Sequence, residues 1–593
     1  MPPAIRNAAS ITFHVTLYIP CIQCTKSVLY CLCKRLLLSI SSETFITFSW
    51  SFIVPFLSTS WKMQILHSIQ HHGLQRTIRQ WRSAHRIRLA QLATSDARLC
   101  HSAAPTVSMA AVSQTMAGLL SSSRKYRANT QTSQMTPPEV NRMLNANEYS
   151  LSFNGYDGRN VGSVLGFESN LLASNSPSED RRSVATCLQS RGMLFGVFDG
   201  HAGHACAQAV SERLFYYIAV SLLPLKTLVD IEEAVENERP VFPVLQWHKH
   251  PNDCVSTDAG KLYFNSLRTY WQELIDLEED GDKDVEAALA DAFKRLDNDI
   301  SLEAQVEFGD PFSHFAPLRV ALSGCTACVA HVDGSDLRVA NLGDSRAVLG
   351  VQAEDGSWSA LTVTNDHNAQ NADELQRVRA EHPPAERKSV VKHDRLLGLL
   401  LPFRAFGDIK FKWSGELLSR VCEARPEALP GGEHAKTLPP NYRTPPYLIA
   451  EPEVTSHKLR PQDKFLVLAT DGLWEMMHRQ TVVEVIGEHL TGMQWQKPLS
   501  GVSFTLGQMQ KLLLERKARA LKALEDENSA THLIRHALGS DGFGSVDPRR
   551  LSKMLSLPRE LARMYRDDIT ILVVHLNSSV IEANHKAAIT EDA

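Results

Sequence analysis

Apolar runs of strand character recur along this chain between stretches of helical periodicity, and three of these runs lie beside a carboxylate. The three carboxylates are Asp199 after residues 194–198, Asp471 after residues 464–470, and Asp567 before residues 569–575. We predict that two strands end at a carboxylate and that a third begins with one. If the third strand is antiparallel to the other two, all three carboxylates lie at the same sheet edge.

Folding alone gives no reason to gather these side chains, because unpaired carboxylates repel each other and raise one another's pKa. A bound divalent cation removes that cost, and a set of ligands that are all oxygen favours Mg²⁺ or Mn²⁺. Gly200 follows Asp199 and leaves its own carbonyl group open to close approach. No His or Cys cluster with zinc spacing accompanies these residues in the sequence. The alternative is that each Asp-Gly pair is an ordinary turn after a strand.

The composition is ordinary for a soluble globular protein and gives no reason to expect nucleic acid as a partner. The 593 residues are 43% hydrophobic and 22% charged, with a formal net charge of −4. The strand motifs spread from residue 194 to residue 574, which favours one large domain with insertions. Of eleven cysteines, five lie at or before Cys100 and the others are scattered, which indicates a reducing compartment rather than a disulfide framework.

The first 136 residues differ from the rest of the chain, and the part from Met63 onward indicates targeting. Residues 1–62 contain one acidic residue, Glu43, and apolar runs too short to span a membrane, so we interpret them as a leader or an over-extended start. From Met63 to Ser95 there are five arginines and no acidic residue, with apolar residues at roughly helical spacing. This pattern predicts a mitochondrial presequence and a disordered linker over residues 63–136, and a basic surface helix is the alternative.

Folded sequence is expected from residue 137 to residue 580, with a tail over residues 581–593. Two largely helical insertions are predicted within it, at residues 224–310 and 480–560. The acidic turn at residues 278–282 resembles half a calcium loop, but we interpret it as a linker between helices because the later ligands of such a loop are missing.

A second pair of carboxylates, Glu179 and Asp180, lies in a charged turn just before the strand that leads to Asp199. Such a turn is usually solvated and has no further role. The turn lies directly upstream of the Asp199 strand. The second interpretation is therefore that Glu179 and Asp180 belong to the same site as Asp199.

The order of these motifs resembles that of the PPM-type, metal-dependent Ser/Thr protein phosphatases. The motifs are Glu179-Asp180, Phe198-Asp199-Gly200-His201-Ala202-Gly203, Ser323-Gly324-Cys325-Thr326-Ala327, Asn341-Leu342-Gly343-Asp344-Ser345-Arg346, Asp366-His367, Arg404-Ala405-Phe406-Gly407-Asp408, Asp471-Gly472-Leu473-Trp474 and Asp567-Asp568-Ile569-Thr570. About eight motifs follow one another in the family's order, so the resemblance is specific.

The resemblance implies an α+β fold, a four-layer αββα sandwich of two mainly antiparallel sheets flanked by helices, with helical insertions. It also implies a centre of two Mg²⁺ or Mn²⁺ ions at one end of the sandwich. The implied metal ligands are Asp199 and the Gly200 carbonyl, then Asp471 and Asp567, and, mostly through water, Glu179 and Asp180. Asp344 matches a position that helps to hold a weaker third metal in some relatives.

In the mechanism implied by the resemblance, a water that bridges the two ions attacks the phosphorus in line and no phosphoenzyme forms. The motifs offer no Cys-x5-Arg nucleophile, which agrees with this. His201 matches the residue that protonates the leaving seryl oxygen, and it can do so only when it is itself protonated. His204 lies one turn away, and we prefer His201 because of its place in the motif.

Two positions depart from the family pattern. Many relatives carry a phosphate-holding Arg five residues before Asp180, where this chain has Asn175. Either Arg181 or Arg182 is the substitute, or phosphate binding depends more on the metals. The motif around Arg404 usually opens with Ser or Thr, whereas Phe403 stands there, which we interpret as repacking.

Within the family the chain is most similar to the mitochondrial phosphatases that act on the E1 component of pyruvate dehydrogenase. The stretches that carry this similarity are Glu179–Val184, Ser211–Leu223, Gln246–Asp253, Leu262–Leu277 and Met554–Leu557. It implies a matrix enzyme that dephosphorylates pyruvate dehydrogenase E1, with a lipoyl domain of E2 and a regulatory subunit as partners and no transmembrane span. The alternatives are the same chemistry on another mitochondrial phosphoprotein, or an inactive scaffold on the same fold.

Overall fold

The structure, a computed structural model, describes residues 134–591 apart from gaps at 154–161, 254–259, 278–283, 307–314, 425–437, 496–504, 508, 512–513, 515–525 and 542–544. Every described residue lies in one compact unit, Asn129–Ala593. The expected leader, the presequence up to residue 133 and the acidic turn at residues 278–282 lie outside the described residues.

The strands are short and spread over the whole described chain. They are β1 (Tyr149–Ser152), β2 (Val164–Leu172), β3 (Arg181–Cys187), β4 (Met193–His201), β5 (Leu245–Trp247), β6 (Gly324–Asp333), β7 (Asp336–Leu342), β8 (Arg346–Gln352), β9 (Trp358–Thr362), β10 (Val391–Lys392), β11 (Arg395–Leu396), β12 (Phe406–Gly407), β13 (Glu453–Lys458), β14 (Asp463–Ala469) and β15 (Ile569–Leu576).

Two antiparallel sheets contain all of these strands except β10 and β11, which pair with each other. The first, sheet A, has the strand order β1-β2-β15-β14-β8-β9. The second, sheet B, has the order β13-β7-β6-β4-β3-β5, with β12 paired to the end of β6. Every strand pairing in both sheets is antiparallel.

Helices occupy most of the remaining described residues. Those with defined bounds are α1 (Pro137–Leu144), α2 (Ala205–Ser221), α3 (Leu225–Glu236), α4 (Gly260–Asp276), α5 (Val285–Glu303), α6 (Phe315–Leu322), α7 (Ala372–Ala380), α8 (Arg387–Val390), α9 (Ile409–Lys412), α10 (Gly415–Ala424), α11 (Asp471–Trp474), α12 (Arg479–Trp495), α13 (Ser529–Gly539), α14 (Pro548–Leu555), α15 (Arg559–Ala562) and α16 (Ser578–Glu591). Within the described ranges, none of the helices is long and apolar enough to cross a membrane.

Three apolar cores separate four layers of structure. The central core packs sheet A against sheet B, with Phe167 and Leu468 of sheet A facing Phe195 and Val339 of sheet B. A second core joins the outer face of sheet B to α2, α4, α5 and α6. A third joins the outer face of sheet A to α1, α12, α13 and α14. The order is therefore helices, sheet B, sheet A, helices, and the expected αββα sandwich is confirmed.

The position of each strand in its sheet explains its sequence pattern. The central strands β6, β14 and β15 are buried on both faces, so their sequences are almost continuously apolar. The edge strands β1 and β9 alternate between half-buried and exposed residues, because one face of each is open to solvent. Central strands were therefore visible in the sequence as apolar runs, and edge strands were not.

Two expectations about the carboxylate-bearing strands need correction. β4 continues to His201, so Asp199 lies inside the strand, opposite Thr326 of β6, rather than after its end. The carboxylates also do not share one sheet edge, because Asp199 belongs to sheet B while Asp471 and Asp567 border strands of sheet A. Strand periodicity shows which residues are extended, but it does not show to which sheet a strand belongs.

The last helix continues the fold beyond the boundary expected at residue 580. Ile581 of α16 is fully buried in the core between the two sheets. His585 Nε2, one turn further on, lies 2.6 Å from the carbonyl oxygen of Leu459. Residues interpreted as a tail from the sequence therefore pack against the domain.

Candidate metal centre

Strands from both sheets bring acidic side chains to one end of the sandwich. β14 and β15 are antiparallel neighbours in sheet A, so Asp471 just after β14 lies at the same end as Asp567 just before β15. Asp199 reaches this end from β4 of sheet B. Burial raises the pKa of Asp199, and the negative charges of four neighbours raise it further; these are Asp471, Asp180, Asp344 and Asp567. The predicted carboxylates therefore form one cluster that spans the two sheets, which we call the carboxylate cluster.

Holding these groups together is electrostatically unfavourable. Burial and the neighbouring carboxylates raise the pKa of Asp471 and of Asp567 to about 6 and that of Asp344 to about 7. The pKa of Asp180 is also raised, by burial and then by the charges of Asp568 and Asp471. Since buried like charges destabilise one another, the cluster suits a ligand that neutralises negative charge.

The loop before β3 is fixed to the cluster by Asp568, which lies just before β15. The Asp568 carboxylate accepts hydrogen bonds from the backbone N–H groups of Ser174 at 2.5 Å, Asn175 at 2.8 Å and Glu179 at 2.7 Å. These donors outweigh the effect of burial and lower the pKa of Asp568. The Asp568 carboxylate therefore stabilises the loop through charge-assisted hydrogen bonds. The sequence motif contains Asp568, but no local pattern distinguishes its role from that of Asp567.

Glu179 and Asp180 both reach the cluster from this loop. Glu179 Oε1 accepts a hydrogen bond from the Gly203 N–H at 2.6 Å, and Asp180 Oδ2 accepts one from Thr470 Oγ1 at 2.8 Å. A Cβ atom on Gly200 would lie 2.5 Å from the carbonyl oxygen of Glu179, so the loop can approach β4 this closely only at a glycine. The charged turn is therefore packed beside the carboxylate cluster and is not a solvated surface turn.

His201 lies at the end of β4, and its ring faces a carboxylate that the sequence had not paired with it. Its Nε2 atom lies 2.5 Å from Asp408 Oδ2. Burial lowers the pKa of His201, but the charge and hydrogen bond of Asp408, with the charges of Asp344 and Glu179, outweigh this and raise it. His204 is exposed, and burial and the charge of Arg181 lower its pKa. The protonated form required of a proton donor is therefore favoured at His201 and disfavoured at His204.

The residues present fit divalent cations by their chemistry. The candidate groups are all oxygens, as Mg²⁺ and Mn²⁺ prefer. Asp471 Oδ1 is buried without a hydrogen-bond partner, a condition that a cation would relieve. The fit is one of chemistry and not of geometry, because across the described residues no group of three or more His, Cys, Asp or Glu side chains is arranged to hold a metal ion. Some carboxylate oxygens are bound to protein donors instead, such as Asp567 Oδ2, which lies 2.6 Å from Arg563 Nη2.

Neither arginine that could replace the missing phosphate-binding residue points freely into the cluster. Arg181 donates to Gln208 and to backbone carbonyls of its own loop. Arg182 is buried and donates to Ser169 Oγ and, at 3.4 Å, to Asp253. Asn175 itself lies 3.2 Å from Glu179 Oε2, at the edge of the cluster.

The second departure from the family pattern has a simple packing explanation. Phe403 is completely buried in a separate core cluster with Val378, Leu396 and Tyr447. Its backbone N–H donates to the carbonyl oxygen of His367 at 2.7 Å. The aromatic ring fills this core, as the interpretation of repacking requires.

Part of the chain matches the model of a known protein family. The model of the family described as Protein phosphatase 2C matches residues 252–509. That segment includes Asp344, Asp408 and Asp471, whereas Asp199 and Asp567 lie on either side of it.

Curated relatives match a longer part of the chain. Pyruvate dehydrogenase (acetyl-transferring) phosphatase 1, mitochondrial, of Homo sapiens is 67% identical over 466 residues, which cover 78% of this chain and 86% of that protein. The corresponding phosphatase 2 of Homo sapiens is 52% identical and covers 76% of this chain and 85% of its own length. A protein phosphatase 2C homolog of Schizosaccharomyces pombe is 30% identical, with 71% and 82% covered.

Among solved structures, a serine-threonine phosphatase 2C from Toxoplasma gondii is 18% identical. It covers 72% of this chain and 99% of its own, with a TM-score of 0.34, which is too low to compare the two sites residue by residue.

Proposed function

This chain belongs to the protein phosphatase 2C family, and we propose that it removes phosphate from serine residues of the E1 component of pyruvate dehydrogenase and so reactivates the complex. Enzymes of this family are metal-dependent protein serine/threonine phosphatases. The observation that carries the proposal is the carboxylate cluster, which has an unpartnered buried oxygen on Asp471 and, beside it, the His201 imidazole with a raised pKa. The substrate is proposed from the names of the relatives that are 67% and 52% identical.

Two Mg²⁺ or Mn²⁺ ions would be held by the residues of the cluster. The proposed ligands are Asp199, the Gly200 carbonyl, Asp471, Asp567, Asp180 and Glu179. When bound, the ions would supply an activated water and neutralise charge on the phosphoryl oxygens.

The protein groups around the cluster complete the reaction. Asp568 keeps the loop with Glu179 and Asp180 in place, and Thr470 orients the Asp180 carboxylate. His201 would give a proton to the seryl oxygen as its bond to phosphorus breaks, because a protonated alcohol is a far better leaving group than an alkoxide.

The cysteines nearest to the cluster do not compete as nucleophiles. Cys206 and Cys325 are fully buried, and burial raises the pKa of both thiols well above the ordinary value. A neutral, buried thiol is a poor nucleophile. This supports direct attack by water without a phosphoenzyme.

The proposed test compares the parent chain with Asp199→Asn and Asp471→Asn on phosphorylated pyruvate dehydrogenase E1, with Mg²⁺ and with EDTA. We expect Mg²⁺-dependent release of phosphate by the parent and a loss of at least about 100-fold in each variant. Asp355→Asn, an exposed Asp in the turn between β8 and β9, is the matched control and should be as active as the parent. Activity that survives EDTA would overturn the metal assignment, and activity on other phosphoproteins but not on E1 would overturn the substrate.

The same proposal places the enzyme in the mitochondrial matrix, with residues 63–136 as presequence and linker. The relatives are named mitochondrial. Import of the full chain into isolated mitochondria with cleavage before residue 137 would support it, and retention on the outside would contradict it.

We propose that a lipoyl-bearing domain of the E2 component docks on the segment before β5. A regulatory subunit is proposed as a further partner. Val241 and Phe242 are 42% and 82% exposed there, although both are apolar.

Deleting residues 240–253 is a poor test, because it removes β5 and Trp247, whose ring stacks on Phe215 at 5.6 Å.

A sharper test is Phe242→Ser, with Leu399→Ser as control. Leu399 is 51% exposed elsewhere on the surface. We expect Phe242→Ser to lower the rate on E1 within the complex while leaving the rate on a free phosphopeptide unchanged. Equal rates of both variants on the complex would exclude this surface.

A further inference from the structure

The contact between His201 and Asp408 joins residues that are 207 positions apart in the chain. The Asp408 side chain is 5% exposed and that of His201 is 26% exposed, so the carboxylate is buried while part of the ring remains open. The separation between Nε2 and Oδ2 is 2.5 Å, within hydrogen-bond distance. This geometry leaves the other ring nitrogen, Nδ1, outside the contact.

The backbone around the contact leaves no space for a side chain at position 324. Gly324 at the start of β6 lies opposite His201 of β4 and also opposite Gly407 of β12. A Cβ atom at Gly324 would lie 2.0 Å from His201 Nε2 and 2.2 Å from Asp408 Oδ2. Only a glycine at this position lets the two side chains meet.

Asp408 also has an unusual backbone conformation, with φ of 50° in the left-handed region. For a residue with a side chain this conformation costs about 1–2 kcal/mol. It is held by the Asp408 N–H, which donates to the Ser323 carbonyl at 3.0 Å, and by the Gly407 N–H, which donates to Asp297 Oδ1 at 2.8 Å. Strain that is kept in this way often serves the placement of a side chain at a functional site.

We propose that Asp408 is a positioning residue that holds the His201 ring so that Nδ1 carries the proton for the leaving seryl oxygen. The proposal rests on the proposed function. By accepting the Nε2 proton, Asp408 fixes both the tautomer and the orientation of the imidazole. In the step itself, the phosphorus–oxygen bond to serine breaks with its electron pair on the seryl oxygen, which takes the Nδ1 proton. The new phosphorus–oxygen bond comes from water, whose protons leave with the released phosphate, and the ring is left neutral with Nε2–H still bonded to Asp408.

The experiment compares two substrates whose leaving groups differ in their need for a proton. A phosphoserine peptide requires protonation of an alkoxide, whereas p-nitrophenyl phosphate releases a stable phenolate. At saturating Mg²⁺ we expect Asp408→Asn to lower kcat for the phosphoserine peptide by about 10- to 100-fold, and kcat for p-nitrophenyl phosphate by less than about threefold. KM for both should be unchanged, because Asp408 does not touch the substrate. An equal loss of kcat on the two substrates would overturn the proposal.

A double-variant cycle with His201→Gln gives a second readout. If Asp408 acts through His201, then Asp408→Asn causes no further loss once His201 is replaced. Losses that multiply in the double variant would show that Asp408 acts by another route. If Asp408→Asn fails to fold, Gly324→Ala is the substitute test. It keeps both side chains but pushes them apart, and it should lower kcat selectively for the phosphoserine peptide.

Asp297→Asn is the matched control for the loop. Asp297 binds Gly407 N–H and Lys412 Nζ, the latter at 2.7 Å, and makes no contact with the His201 ring. It should lower Tm and affect the two substrates equally. If Asp297→Asn instead reproduces the selective loss on phosphoserine, the conformation of the loop and not the Asp408 carboxylate is responsible. Inactivity of the parent on both substrates would instead overturn the proposed function.

Discussion

At the scale of single residues, repulsion within the carboxylate cluster lowers the stability of the folded protein and favours the binding of a cation. Asp199 has a raised pKa because burial and four carboxylates act on it together. Asp471 Oδ1 is buried without a partner. Residues kept in such an arrangement usually reduce the stability of the protein on its own, in exchange for affinity towards a ligand.

Asp199→Asn should therefore stabilise the chain when divalent ions are absent. Removing one negative charge relieves repulsion, and we expect a gain of about 0.5–2 kcal/mol in EDTA. In Mg²⁺ the parent should gain stability by ligand binding, and the variant should gain much less. Thermal melts in EDTA and in Mg²⁺ measure both effects, with Asp355→Asn as control. A lower Tm for Asp199→Asn in EDTA would contradict the account of repulsion.

Gly472→Ala tests how closely the two acidic segments of sheet A must approach. A Cβ atom there would lie 2.0 Å from the Asp568 carbonyl oxygen and 3.3 Å from the Asp567 Cβ. The backbone must move to relieve this, so we expect a loss of about 1–3 kcal/mol and a weaker stabilisation by Mg²⁺. Gly260→Ala is the control, because nothing lies within 4 Å of its Cβ position. Denaturant unfolding with and without Mg²⁺ gives both values, and a Gly472→Ala variant as stable as Gly260→Ala would refute the argument.

At the scale of elements, the layer outside sheet A contains a buried group of histidines between α12 and α13. The His489 ring of α12 stacks on His532 of α13 at 4.3 Å, and His532 lies 4.5 Å from His536. Burial, followed by the charge of His532, lowers the pKa of His489 and of His536 to about 4. Neither ring nitrogen of His489 has a hydrogen-bond partner. The contact between the two helices therefore depends on neutral imidazoles at His489 and His536.

The packing of α12 on α13 should weaken on acidification. Since the folded pKa of His489 and His536 is near 4 and the unfolded value is about 6.5, the unfolded state binds protons first as the pH falls. The free energy of unfolding should fall between pH 6.5 and 4, by up to roughly 1.4 kcal/mol per pH unit for each group. His489→Phe, which keeps a stacked ring but cannot be protonated, should reduce this slope.

Denaturant unfolding across this pH range measures the slope. His478→Phe is the matched control, because His478 is exposed at the start of α12 and should leave the slope as in the parent. An unchanged slope in His489→Phe would mean that these histidines do not govern the acid sensitivity.

At the scale of the whole molecule, the site depends on two sheets that must stay packed face to face. Sheet B carries Asp199 and His201, and sheet A carries Asp471 and Asp567 at its strand ends. Phe195 of sheet B is fully buried, and its ring centroid lies 6.1 Å from that of Phe167 in sheet A. The central core is thus the structural link between the two halves of the cluster.

Phe195→Ala should cost about 3–5 kcal/mol, because it leaves a cavity between two sheets that cannot collapse onto it. Phe242→Ala is the control, since that ring is 82% exposed and its loss should cost less than about 0.5 kcal/mol. Chemical denaturation gives both values. Similar stabilities for the two variants would argue against the central core as the link between the sheets.

The sequence by itself determined which residues are candidates for the chemistry and which segments are extended. Apolar runs beside Asp199, Asp471 and Asp567 were enough to predict strands with carboxylates near their ends, because strand periodicity and burial on both faces are local properties of the chain. The fold class followed from the order of the motifs. The sheet to which each strand belongs, and the continuation of β4 through Asp199, depend on hydrogen bonds between distant segments and were decided only by the tertiary structure.

The same limit applies to the hydrogen-bond partners of the proposed catalytic groups. Asp408 was visible in a motif, but its contact with His201 spans 207 residues and depends on Gly324 of a third strand. Asp568 likewise looks like a second copy of Asp567 in the sequence, and only its three backbone donors distinguish it. Local pattern shows what a residue is able to do, whereas its hydrogen-bond partners and its desolvation, which decide what it does, arise only when distant parts of the chain pack together.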